Sequence, residues 1–186
     1  VEALVNTLEV ALVAVVVTTA LGTLLGLGLA RLRTRYVGPL SETLILLPMV
    51  APEIILGISL LLFFAQLFSS NGSLAQISIA HITFSMAYVT VVVQSRLATF
   101  DDSLEEAALD LGARPAKVFF RITLPLILPA ILSGWLLAFT LSWDDLVISQ
   151  FVAGPGSTTL PMVVFSKVRL GVSPDINAPA TIMVTI

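Results

Sequence analysis

The stretch "VALVAVVVTTALGTLLGLGLARLRTR", residues 10 to 35, sets both the solvent and the orientation of this chain. Val10 to Ala30 is an uncharged run of 21 residues. A hydrocarbon core of about 30 Å is crossed by about 20 helical residues, so the run is long enough to span one. Arg31, Arg33 and Arg35 close it. Lys and Arg accumulate in short cytoplasmic loops, so this end is expected inside. Composition points the same way: 57% of the 186 residues are hydrophobic and 11% are charged, against roughly 25% charged in soluble domains. The mean hydropathy is +1.03. The net charge of -3 carries no footprint for nucleic acid, and no nucleic-acid partner is expected.

Working outward, further apolar stretches run from about Leu44 to Phe68, Ile77 to Ser95 and Leu126 to Ile148. A fifth begins near Asn177. Segments of this length in lipid must be helices, which alone satisfy their own backbone. The expected class is therefore an all-α, polytopic membrane protein, a single transmembrane domain over 1–186 with about five spans. "SSNGS" (69–73) reads as a turn. Alternation then puts residues 96–125 inside and 151–176 outside. Seven of the nine Lys and Arg fall inside, and only Lys167 and Arg169 fall outside. Val1 is not a start methionine and "ATIMVTI" stops in mid-run, so an internal piece of a longer chain is expected.

The inside loop contains "EEAALDLGARPAKVFFRITLP" (105–125), a charged, helix-forming passage in an otherwise apolar chain. Ser103 and Glu106 have capping-box spacing. Leu104, Ala107, Ala108 and Leu111 fall on one narrow apolar face. Gly112 suits a left-handed helix end, and Pro115 the first turn of the next helix. The pattern describes a short helix, a sharp turn and a second amphipathic helix bearing Lys117, Phe119, Phe120 and Arg121. Two small alanines permit close approach by another protein. The competing reading is a hairpin lying on headgroups, which Asp101, Asp102, Glu105, Glu106 and Asp110 disfavour against anionic lipid.

Glu106, Ala107 and Ala108, then Gly112 after three residues, Ile122 after nine, and Leu124 and Pro125 after one more, reproduce the spacing of the EAA loop. The passage resembles that signature of membrane subunits of bacterial ATP-binding-cassette importers. Residues 134–149 and 151–182 are similar to the second permease subunit of putrescine and spermidine importers, and that likeness covers most of the chain from about Leu44 onward. It implies a MetI-like, type I importer permease core in the inner membrane, multi-pass, with 96–125 as the cytoplasmic coupling loop. Family members usually have six spans, so the first and most of the last are expected to be missing. The resemblance further implies an ATP-binding cassette ATPase subunit, a second related permease subunit and an external solute-binding protein as partners besides the lipid bilayer. Glu106, Ala107, Ala108, Gly112, Ile122, Leu124 and Pro125 would mark the ATPase-coupling surface. No cofactor is expected in this chain, with ATP and Mg bound by the ATPase; a G-x-x-x-x-G-K-[ST] phosphate loop is absent from the sequence.

Asp144 and Asp145 close the fourth span in "SWDDL". Carboxylates at depth cost about 2.5–3.5 kcal/mol each and usually face a water-filled path or a partner. They are candidate contacts for the ammonium groups of a polyamine, with Glu53 after Pro52 a weaker one; the alternative for the pair is a place at the outer interface, capping a broken helix or contacting the binding protein. Trp143, Trp135 and Tyr88 could stack on an alkylammonium chain or simply pack. His81 is expected at the outer interface. A permease for iron, sulfate or thiamine, an intramembrane aspartyl enzyme and a passive channel compete with the polyamine reading. The channel would need no docking loop, and adjacent aspartates on a helix do not face each other as a dyad must.

Overall fold

The computed structural model describes residues 1–31, 37–68, 72–170 and 177–185, and every regular element among them is helical. In chain order these are α1 (Glu2–Arg31), α2 (Val37–Val50), α3 (Glu53–Leu67), α4 (Leu74–Leu97), α5 (Ser103–Asp110), α6 (Pro115–Val118), a π turn (Phe119–Thr123), α7 (Leu124–Trp143), α8 (Val147–Val152), α9 (Leu160–Leu170) and α10 (Asn177–Thr185). Three helical stretches are long and apolar enough to cross a bilayer: α1, α4 and the rod Pro115–Trp143. The bent pair α2–α3 makes a fourth if counted as one span.

Two predicted spans differ from the structure. The span expected over Leu44 to Phe68 is broken, its halves meeting at 108°. Pro52 has no N–H for the helix ladder, and its ring drives Ala51 out of the helical region; α3 restarts with Pro52 as its N-cap. The span expected over Leu126 to Ile148 ends at Trp143, and α8 follows after a three-residue break. The described part of α10 has nine residues, too few to cross a core of about 30 Å. Arg33, Arg35 and residues 69–71 of the predicted turn lie outside the described residues. Gly72 takes φ +65°, and the Ser73 hydroxyl caps α4 by accepting the Gln76 N–H at 3.3 Å.

Lipid offers apolar side chains no reason to leave it, so helices in it associate by close packing. Gly22 and Gly26, one turn apart on α1, lie against Val89 and Val93 of α4; a Cβ at Gly22 would sit 2.9 Å from the Val89 side chain. Gly134 brings α7 onto the same Val89 from another side, 3.2 Å from a notional Cβ. The Thr90 hydroxyl donates to the Met86 carbonyl one turn back at 2.7 Å and lies 3.3 Å from the Gly22 carbonyl across the contact. Val15, Val89, Val93 and Ala138 form the buried core of this three-helix unit. Leu12, Val16, Leu132 and Leu136 point outward and are exposed, as a lipid-facing surface requires.

A second core joins Val10, Phe64, Ile77, Phe84, Ile148 and Val152 at the opposite end from the charged loop. There Asn6 donates to the carbonyls of Gly156 and Thr158 at 3.2 and 3.0 Å, and the Thr7 hydroxyl accepts the Leu160 N–H at 2.7 Å. These bonds stitch the start of α1 to the segment between α8 and α9.

Candidate functional site: a charged loop at one end of a rod and a broken helix at the other

None of the side chains of α5 is buried. Leu104 and Leu109 are about half exposed and Leu111 is 89% exposed. Ala107 is exposed and Ala108 partly so. The predicted capping box does not form. The helix starts one residue earlier in effect, because Asp101 reaches forward: its Oδ1 accepts the Ser103 N–H at 3.0 Å. Hydrogen bonds from the Ser103 side chain and backbone hold the Asp101 carboxyl below its ordinary range. The Glu106 N–H that the box would give to the Ser103 hydroxyl bonds instead to the Asp102 carbonyl at 3.1 Å, an ordinary helix bond, because Ser103 is already inside the helix.

The end of α5 matches the sequence pattern closely. Gly112 has φ +81°, its N–H bonds to the Leu109 carbonyl at 2.9 Å, and the Ala113 N–H bonds to the Ala108 carbonyl at 3.0 Å. This pair of bonds is the Schellman closure, which needs a left-handed residue at the position Gly112 fills. Pro115 then opens α6 at its first turn.

Beyond Pro115 the expected separate amphipathic helix is replaced by a continuous rod. α6, the π turn and α7 run on as one helical stretch of 29 residues, about 43 Å at helical rise. The π turn has a local cause: Pro125 lacks the N–H that would bond the Arg121 carbonyl, and its ring crowds that carbonyl. The Leu124 N–H reaches back to the Phe119 carbonyl, widening the turn. Ile122 is partly buried, Leu124 likewise, and Pro125 is exposed. Thr123, between the first two, is fully buried.

One loop residue that the sequence does not single out ties these pieces together. Arg31 Nη2 lies 2.7 Å from Glu105 Oε1 and 3.0 Å from Oε2, and the Thr123 hydroxyl donates to Oε1 of the same carboxylate. Glu106, the motif residue, is exposed. The partners of Glu105 lie 74 and 18 residues away, beyond any local spacing rule.

At the other end of the rod, Asp144 and Asp145 lie in the break before α8 and diverge. Asp144 ends α7, its N–H bonded to the Thr140 carbonyl at 3.3 Å, and its side chain is exposed. Asp145 turns inward. Its Oδ1 accepts the Ile148 N–H at 3.3 Å and its Oδ2 the Ser149 N–H at 2.8 Å, capping α8. His81, 1% exposed rather than at an interface, meets it: Nε2 is 3.1 Å from Asp145 Oδ2 and 3.2 Å from Ser149 Oγ, and Nδ1 is 2.7 Å from Ser142 Oγ. A carboxylate only accepts, so Nε2 carries a proton towards it. The network joins α4, α7 and α8 across the break.

Trp143 is buried and donates from Nε1 to the Met183 carbonyl at 3.1 Å. It stacks on Phe139, which stacks on Trp135, with centroids 5.7 Å apart in both pairs. Glu53 is exposed in the first turn of α3, where its charge complements the helix dipole. α3 approaches α8 through Gly57, where a Cβ would meet the Phe151 ring at 2.5 Å. Among the described residues no group of three or more His, Cys, Asp or Glu converges as metal ligands would.

Residues 22–186 match the family described as the binding-protein-dependent transport system inner membrane component. The chain belongs to that family. A putrescine transport system permease protein, PotI of Escherichia coli, is 61% identical over 141 residues, covering 73% of this chain and 50% of the relative. The spermidine/putrescine permease PotC of Haemophilus influenzae is 41% identical over 186 residues, covering all of this chain and 72% of the relative. PotC of Escherichia coli is 40% identical over 181 residues, 97% of this chain and 68% of the relative. The chain thus spans about half the length of PotI. An inward-facing structure of the MetNI methionine ABC transporter aligns with TM-score 0.77 at 17% identity, over 98% of this chain and 88% of that one. That likeness establishes the fold: a MetI-like permease core, in agreement with the loop pattern.

Proposed function

We propose that the chain is the membrane-spanning core of a permease subunit in an ATP-driven importer, moving a polyamine across the inner membrane by alternating access. The observation that carries this reading is the junction at residues 101–125. A helix with no fully buried residue is closed by Gly112 and joined by a short turn to a crossing rod. An ATPase subunit that grips Ala107, Ala108 and Gly112 would move α7 without a flexible intermediate. Nucleotide and Mg chemistry belongs to that ATPase. A second related permease would complete the pathway, and an external binding protein would deliver the solute.

The polyamine choice rests on the names of the relatives, which are putrescine and spermidine permeases, and on the exposed carboxylate of Asp144 at the far end of the rod. Asp145 differs, because His81 and two backbone amides already engage it. Glu53 is the second exposed carboxylate assigned to the path.

Uptake of labelled putrescine and spermidine into vesicles carrying the assembled transporter, challenged with unlabelled amines, sulfate, thiamine and iron, tests the reading. Only amines should compete. Asp144→Asn should lower amine uptake about tenfold, the worth of a hydrogen bond to a charged group. Competition by an anion, or unchanged uptake by that variant, would overturn the solute assignment.

A further inference from the structure

The carboxylate of Glu105 is bonded to two other elements at once, and this placement has a mechanical consequence. Glu105 sits in the first turn of α5 and Arg31 in the last turn of α1, so each charge also complements its own helix dipole. Thr123 lies in the π turn at the base of α7 and is fully buried. Glu105 itself is largely sheltered, with 19% of its side chain exposed against 55% for Arg31. Because α5 buries none of its residues, apolar packing does little to fix its position. Among the described residues its only ion pair is the one through Glu105.

We propose that Glu105 is the positioning residue that makes α5 one rigid body with α1 and α7, so that a push on α5 moves both spans together. This rests on the proposed docking of an ATPase at the loop. Without the carboxylate, α5 is held chiefly by its two chain connections, at Asp101–Asp102 and at Gly112. A load on it would swivel the helix about those points rather than displace the spans. The tether is a positioning device and touches no solute. Arg31 is the side of it that salt screens first, since it is more than half exposed.

The test is made on the full-length permease assembled with its ATPase, partner permease and binding protein. The quantity read is solute transported per ATP hydrolysed, alongside co-purification of the ATPase. Glu105→Ala should lower that ratio about tenfold, within the usual range of coupling between sites, while the ATPase still co-purifies. Glu105→Gln keeps an acceptor for Thr123 and loses the ion pair, so it should fall between. Arg31→Glu alone should resemble Glu105→Ala, and the exchange Arg31→Glu with Glu105→Arg should recover most of the ratio. A wild-type ratio in Glu105→Ala, or an exchanged pair no better than Glu105→Arg alone, would overturn the tether. Gly112→Asp in parallel separates the two ideas. If it uncouples while Glu105→Ala does not, the tether alone falls; if neither uncouples, the docking reading falls and the tether with it.

Discussion

His81→Ala is expected to destabilise the folded permease by about 3 kcal/mol, the low end of the cost of leaving a buried charge without its partner. In a chain of this size that lowers the unfolding midpoint in detergent by about 6–12 °C. The imidazole fills space among α4, α7 and α8 and is 1% exposed. Removing it leaves the Asp145 carboxylate with two backbone amides and the Ser149 hydroxyl but without the imidazole, and leaves the Ser142 hydroxyl facing a void. His81→Gln keeps a donor of similar reach and should recover part of the loss. The double variant His81→Ala, Asp145→Ala should cost less than the two single changes added together, since the orphaned charge is then gone. A midpoint unmoved by His81→Ala, or strictly additive costs, would show that the network does not hold the break between α7 and α8.

Gly112→Asp is expected to abolish most ATP-driven uptake, a loss of about tenfold or more, because it places a charge where the proposed ATPase contact would close over the loop. The fold should survive it. No atom lies within 4 Å of a Cβ built at Gly112, and the left-handed backbone costs a side chain about 1–2 kcal/mol, less for Asp and Asn. Gly112→Asn is the control, with the same backbone strain and no charge, and should retain far more uptake. Equal loss in Asn and Asp variants would assign the effect to strain at the turn. Normal uptake by Gly112→Asp would remove the loop from the coupling path.

Local signals carry much of this fold. The uncharged run from Val10 to Ala30 lies wholly within α1, and Gly112 and Pro115 end and begin helices where their backbones suit those roles. Pro48 and Pro52 mark the weak point of the second span. The angle of 108° is not legible there, because it also depends on α3 settling against α8 through Gly57 and Phe151. The aspartates in "SWDDL" mark the end of a helix but not their opposite fates. Asp145 turns inward to His81, 64 residues earlier in the chain, and Asp144 does not. Nothing local distinguishes Glu105 from its neighbour Glu106 for the same reason: Arg31 is near it only in space. The predicted capping box is lost because the helix begins a residue early: Asp101 takes the Ser103 N–H and the Asp102 carbonyl takes the Glu106 N–H, and spacing rules do not fix that one-residue choice.

Ala107→Cys offers the most direct test of the joint, since these 186 residues contain no cysteine and labelling of the variant is read against the same protein with Ala107 unchanged. A membrane-impermeant maleimide is added to intact cells, to inside-out vesicles, and to vesicles stripped of the ATPase subunit. No labelling in cells, strong labelling in stripped vesicles and protection when the ATPase is restored are expected. Labelling from outside the cell, or labelling indifferent to the ATPase, would contradict the proposed joint.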